Sequence, residues 1–137
     1  GPAIRLVDEM VERASTRKQF GQPVAEFQLV QQMIAESNVD VYAARALLLE
    51  TARKRDDGQD VTLEASMCKL FASEMCGRVA DRAVQIFGGG GYIADNVAER
   101  FYRDVPLFRL YEGTSQIHLV NIARRTVALA QAQKAQR

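Results

Sequence analysis

Apolar residues recur at three- and four-residue intervals along most of this chain. That spacing restricts it to helices that bury one side against each other. Leu6, Val7, Met10, Val11 and Ala14 form the first stripe. Gly21 and Pro23 stop it, because glycine loosens the backbone and proline disfavours a helical residue before it. A longer stripe over about residues 25–55 is marked by Phe27, Val30, Ile34, Val41, Ala44 and Leu48, with Asp56-Asp57-Gly58 as its stop. Asp60 or Thr62 then caps a third helix, and Glu64 in its first turn suits the helix dipole. Met67, Leu70, Phe71, Met75, Val79, Ala83 and Ile86 form its stripe, and the run Gly88-Gly89-Gly90-Gly91 ends it. A short fourth helix covers residues 97–103, and Pro106 breaks up the segment after it. A last helix begins after Gly113 with Thr114 as N-cap and carries Ile117, Ile122 and Val127. No segment sustains two-residue alternation between turns, so a sheet is not expected. The expected fold is all-α: an antiparallel, up-down four-helix bundle forming one domain over residues 1–137.

Charge and cysteine content exclude several functions. The formal net charge is +1, with no basic excess of the kind a dedicated nucleic-acid binder carries. Arg53–Arg55 and Arg124-Arg125 are diluted by acidic neighbours and read as solvated helix faces. Cys68 and Cys76 stand about 12 Å apart along one helix, too far for a disulfide. They read as reduced core thiols, which suits a cytosolic compartment. A single histidine, His118, and no CxxC spacing leave no structural zinc site and no metal expected. No run of about 18 apolar residues predicts a membrane span, and no signal peptide is visible. Gly1-Pro2 reads as a cloning remnant or internal sequence, and the chain is expected to begin partway into a helix. The Gln-, Ala- and Lys-bearing tail after Leu129 is expected to fray at its end.

Three strings place glycine or charge where a bundle needs neither. In Arg17-Lys18-Gln19-Phe20-Gly21-Gln22-Pro23, the cations either complement a helix C-terminus or pair with a phosphate. In Gln85-Ile86-Phe87-Gly88-Gly89-Gly90-Gly91-Tyr92, one glycine would end a helix, yet four stand together. They form either a flexible loop or a backbone surface that a ligand can approach closely. Neither a Gly-Lys-Ser/Thr nor a preceding strand makes this a nucleotide loop of the common kinds. In Tyr111-Glu112-Gly113-Thr114-Ser115-Gln116, the carboxylate either serves the following helix dipole or acts as a general base, with Gly113 leaving room for substrate. A dry, apolar setting would raise such a carboxyl toward working pH.

The order and spacing of these strings resemble the C-terminal domain of the acyl-CoA dehydrogenase family. Glu26-Phe27-Gln28, Ala83-Val84-Gln85-Ile86-Phe87-Gly88-Gly89 and Tyr102-Arg103-Asp104 extend the match, which runs from about Leu6 to Ala128. The resemblance implies oxidation of an acyl-CoA thioester to the trans-2-enoyl-CoA. A base takes the α-proton while the β-hydrogen leaves as hydride to flavin N5. Glu112 occupies the base position, and its backbone N–H would hydrogen-bond the thioester carbonyl as enolate character develops. Tyr111 and Gly113 would flank the acyl chain. Arg17 and Gln19 would meet the pyrophosphate region of FAD, with Phe20 packed nearby. Gln28, Gln85, Ile86, Gly88 and Gly89 would line the adenosine side. Thr114 and Gln116 would contact FAD near the catalytic loop.

In the family several of these contacts reach the flavin of a neighbouring subunit, so the resemblance implies a homotetramer or homodimer. It also implies an electron-transferring flavoprotein as acceptor, and a bacterial cytoplasm or mitochondrial matrix as location. A Glu at position 112 favours the straight-chain subgroup, whereas Leu119 stands where many relatives carry Arg. Flavin monooxygenase relatives, which typically lack that Glu, rank last. The family's N-terminal helical domain and middle β-domain, which supply most of the cleft, are not in this sequence. The piece alone is therefore expected to be inactive and to hold FAD weakly. The alternative is a stand-alone helical oligomerisation module derived from that family, working through its bundle faces.

Overall fold

The computed structural model describes residues 1–135. It is helical nearly throughout: α1 (Pro2–Thr16), α2 (Gln28–Asp56), α3 (Thr62–Phe87), a short α4 (Val97–Asp104) and α5 (Ser115–Ala135). Three 3-10 turns lie between them, at Val24–Glu26, Gly88–Tyr92 and Val105–Arg109. The predicted all-α bundle is what forms. The expected fraying at the extreme C-terminus falls on residues 136–137, outside the described residues.

α3 is the axis of the bundle, with α1, α2, α4 and α5 all packed against it. Its buried residues Met75, Cys76, Val79, Ala80, Ala83 and Ile86 face Ala3, Leu6, Val7, Met10 and Ala14 of α1. The small residues Ala3, Ala14, Ala80 and Ala83 let the two helices approach closely, while Leu6, Met10 and Val79 fill the space between. Burying a side chain such as Leu6 stabilises the fold by about 2 kcal/mol. Ala98 of α4 and Val105 close one end of the core. α2 adds half-buried Val30, Met33, Ile34, Val41 and Ala44. Its two buried hydroxyls are satisfied within the helix, Ser37 donating to the Met33 carbonyl and Thr51 to that of Leu47.

Charge fixes the α2–α3 register. Asp40 accepts from Arg78 (2.8 Å) and Arg82 (2.9 Å), and Arg82 also pairs with Glu36. The hydrogen bond from Arg78 holds the Asp40 carboxyl below the usual carboxylate range. At the far end Lys54 pairs with Glu64. Asp60 accepts from the backbone N–H and hydroxyl of Thr62, satisfying the first amide of α3, and it pairs with Arg125 of α5.

The structure corrects several local expectations. α1 stops at Thr16, ahead of the residues expected to stop it, and the chain turns through a small hairpin. Lys18–Gln19 pairs antiparallel with Gln22–Pro23, with Phe20 and Gly21 left-handed at its tip (φ +52° and +83°). Two residues per strand are too few to give an alternation signal. α2 starts at Gln28 rather than Ala25, because Phe27 is extended (φ −87°, ψ 128°) after the 3-10 turn. Leu48, read as buried, is 59% exposed, and Val11 is 44% exposed. Cys76 is a core thiol, and burial pushes its pKa up. Cys68 is only half-buried and shares a hydrogen bond with the Thr51 hydroxyl at 3.1 Å.

Candidate functional site

The residues singled out from sequence fall into two groups, held at opposite ends of α3. At its C-terminal end Gln19, Phe20, Gln28, Gln85 and Ile86 line one groove of about 940 Å³, together with Val24, Phe27 and Met33. The hairpin forms one wall, because the left-handed turn projects Phe20 outward; its side chain is 92% exposed and meets Phe27 edge-on at 6.1 Å. Gln28 opens α2, and Gln85 stands on the last turn of α3 with its side chain exposed. Arg17 lies exposed at the base of the hairpin, outside the groove lining.

The glycine run closes this end. Packing alone accounts for Gly91: a Cβ there would lie 2.6 Å from Phe87 Cβ and 3.1 Å from the Val84 carbonyl. Gly88 supplies the positive φ (+65°) that ends α3. Gly89 is required by neither, since a Cβ would meet nothing within 4 Å. Its bare backbone is open to approach from outside.

The second group sits beside the N-terminal half of α3, roughly 24 Å of helix from Gln85 measured at Lys69. After the 3-10 turn Val105–Arg109 the chain crosses to α5 through Tyr111, Glu112, Gly113 and Thr114. Glu112 and Gly113 are both left-handed, φ +55° and +93°. A non-glycine residue there costs on the order of 1 kcal/mol and persists only where neighbours over-determine it. Its neighbours do so. Lys69 Nζ donates to the carbonyls of Phe108 (2.6 Å) and Gly113 (3.0 Å), on either side of Glu112. His118 Nε2–H donates to the carbonyl of Glu112 itself at 3.2 Å. The Ser115 hydroxyl donates to Glu74 at 2.5 Å, and Arg109 reaches the other Glu74 oxygen at 3.6 Å.

The Glu112 side chain is exposed and forms no ion pair among the described residues. It therefore faces outward from a backbone pinned inward. Tyr111, half-exposed, stacks edge-on against Phe108 at 6.0 Å. Thr114 caps α5 by accepting from the Ile117 N–H at 3.4 Å, and Gln116 is exposed in the first turn of the helix. Gly113 needs its missing side chain twice over: its φ is positive, and a Cβ would lie 3.0 Å from His118 Nε2.

Sequence reading passed over Lys69 and Glu74, and considered His118 as a metal ligand without assigning it a role. His118 instead packs on Gly113 with a buried, unpartnered Nδ1. The one available signal was a lysine set within Met67-Cys68-Lys69-Leu70-Phe71, a run otherwise apolar. Among the described residues no cluster of His, Cys, Asp or Glu could hold a metal ion, and no helix is long and apolar enough to cross a membrane.

Known proteins share this arrangement of helices. The chain is 43% identical over 123 residues to caffeyl-CoA reductase-Etf complex subunit CarC of Acetobacterium woodii, covering 90% of this chain and 32% of that protein. It is 44% identical over 124 residues to cyclohexane-1-carbonyl-CoA dehydrogenase of Geobacter metallireducens, covering 90% and 33%. Butyryl-CoA dehydrogenase from Megasphaera elsdenii superimposes with a TM-score of 0.89 at 33% identity, over 92% of this chain and 33% of that one. The chain thus spans about a third of the length of these relatives. A family profile described as "Acyl-CoA dehydrogenase, C-terminal domain" matches residues 1–127. With that match added to the helical fold and the relatives' identity, the chain belongs to the acyl-CoA dehydrogenase family.

Proposed function

We propose that this chain is the C-terminal helical domain of a flavin-dependent acyl-CoA dehydrogenase in which Glu112 removes the α-proton of the thioester. The observation that carries the reading is the conformation at Glu112: an outward, unpaired carboxylate on a left-handed residue whose flanking carbonyls are tied to α3 and α5. A general base must be free at its carboxylate and fixed at its backbone, and this residue has both properties. Its N–H, absent from the hydrogen bonds formed among the described residues, is a donor for a substrate carbonyl as negative charge develops there. Tyr111 and Gly113 flank the carboxylate and would border the acyl chain.

The groove at the other end of α3 fits the adenosine half of FAD. It combines an exposed aromatic face at Phe20, apolar walls from Val24, Phe27 and Met33, and the side-chain amides of Gln19, Gln28 and Gln85. Ile86, Gly88 and Gly89 would line the same region, and Arg17 would sit toward the pyrophosphate. Thr114 and Gln116 would meet FAD beside the Glu112 loop. Bound flavin would supply the acceptor for the β-hydrogen, released as hydride. The two contact sets lie far apart along α3, which favours service to two flavins in an assembly of subunits. Exposed Val39, Tyr42 and Leu49 on α2, with Ala35 before them and Ala46 between the last two, form a seam that suits packing against a second copy in a homodimer or homotetramer.

The relatives' names include both a reductase and dehydrogenases of CoA thioesters. The same carboxylate serves either direction, returning the α-proton in the reverse reaction. An electron-transferring flavoprotein is the proposed redox partner, as the Etf complex of the Acetobacterium woodii relative suggests. This domain alone is expected to be inactive. The test is Glu112→Gln in the full-length protein. It should retain bound flavin and lose about 10³-fold or more in flavin reduction by acyl-CoA. Wild-type reduction would remove the assigned role and leave the α2 seam to support the alternative, a helical association module.

A further inference from the structure

We infer that Lys69 is a positioning residue for the reaction, the clamp that holds Glu112 in its left-handed conformation. The inference rests on the reading of Glu112 as base, but the geometry behind it stands alone. Lys69 leaves the N-terminal half of α3 through a half-buried, mostly apolar neighbourhood and directs two of its three N–H donors to backbone carbonyls. Those carbonyls belong to Phe108 and Gly113, so a single ammonium group closes the loop that contains Tyr111 and Glu112. Its Nζ also lies 5.7 Å from the centre of the Tyr111 ring, over the residue next to Glu112. No carboxylate pairs with Lys69 among the described residues. Its charge is directed instead to carbonyl oxygens.

The loop needs such a clamp. Glu112 and Gly113 are successive left-handed residues, and the first has a Cβ. Without Lys69 the Phe108 and Gly113 carbonyls both lose a charged donor. The tie from α3 that holds the strained residue is then gone, so the turn would relax and carry the carboxylate away from its set position. His118 is the weaker second tie. Its single contact to the Glu112 carbonyl fixes Nε2 as the protonated nitrogen, and its ring fills the space over Gly113. Serine and glutamate make the third tie, Ser115 to Glu74, at the start of α5. Lys69 is the only one of the three that spans Glu112 from both sides.

The experiment uses the flavin-loaded, full-length enzyme carrying Lys69→Met or Lys69→Arg. Flavin content, backbone amide exchange over residues 108–114, and flavin reduction by saturating acyl-CoA are each measured. With Lys69→Met, flavin content is expected to stay at the wild-type level and exchange in the loop to accelerate. The reduction rate should fall about 100-fold, as a displacement near 1 Å would cause, with the substrate concentration for half-maximal rate little changed. Lys69→Arg, which restores a cation and donors, should recover part of the rate; it also serves as the folded comparison should the methionine variant be unstable. Unchanged amide exchange in Lys69→Met overturns the clamp whatever Glu112 does. Accelerated exchange with an undiminished rate overturns its role in the reaction. Failure of the base assignment itself is read separately, from a Glu112→Gln enzyme that still reduces its flavin.

Discussion

The two ends of α3 present opposite solutions to holding a functional group. At the Gln85 end the candidate ligand contacts are mostly exposed side chains, with the Gln28 and Gln85 amides unpartnered among the described residues, arranged around a hairpin and a glycine turn. At the Lys69 end the carbonyls of Phe108, Glu112 and Gly113 are each committed to a side-chain donor, and the Glu112 carboxylate and N–H are left without a partner among the described residues. The difference fits the two proposed tasks. A binding surface works through groups still available for a ligand, whereas a group that moves a proton must be held to within about half an ångström and must not be spent on internal contacts. Substitutions at the first end should therefore change cofactor retention, and substitutions at the second should change turnover.

The largest expected break in that contrast is Gly113→Val. A β-branched side chain at φ +93° and against His118 should destabilise the loop by about 2–3 kcal/mol and lower turnover roughly 100-fold, with flavin retained. Parallel denaturation and flavin-reduction measurements on the full-length protein check both. Next is a paired test within the glycine run. Gly91→Ala should cost about 2 kcal/mol of stability through its contact with Phe87, whereas Gly89→Ala should change stability by less than about 0.5 kcal/mol and weaken flavin retention. Equal stability losses would show that the run is purely structural. Phe20→Ala is expected to weaken flavin binding roughly tenfold through loss of an aromatic face, while leaving turnover of the flavin-saturated enzyme unchanged; titration of the apoprotein reads the first effect.

The smallest expected effect lies between the two ends. Asp40→Asn removes the acceptor shared by Arg78 and Arg82 and should cost about 1–2 kcal/mol without touching either function. The native Asp40 carboxyl is held below its unfolded value, so its contribution is complete above pH about 4 and fades as pH falls toward the lower, folded value. The difference in stability between wild type and Asp40→Asn should shrink over that acid range and stay constant at neutral pH.

How much of this was legible in the sequence depended on whether the cause was local. The α3 stripe, the stop at Gly88 and the cap at Thr114 come from periodicity and turn chemistry, and they appear where expected. The hairpin at Phe20-Gly21 did not, since two-residue strands leave no alternation to read. Leu48 carries the right spacing for a buried face yet is exposed. Periodicity finds an apolar side but not what covers it, and α2 has apolar residues on more than one side. The groove residues were found as motifs, but their convergence from hairpin, α2 and α3 needed the fold. Lys69 and Glu74 were passed over because their partners, two backbone carbonyls for Lys69 and the Ser115 hydroxyl and Arg109 for Glu74, lie some forty residues away in sequence, beyond the reach of local pattern.

The most direct measurement separates proton removal from oxidation. A CoA thioester whose β-carbon carries no hydrogen is incubated with the flavin-loaded, full-length enzyme in deuterated water, and its α-position is followed by mass. Wild-type protein should exchange the α-hydrogen for deuterium without bleaching the flavin, and the Glu112→Gln protein should not. Exchange at the wild-type rate in the Glu112→Gln protein would contradict the account.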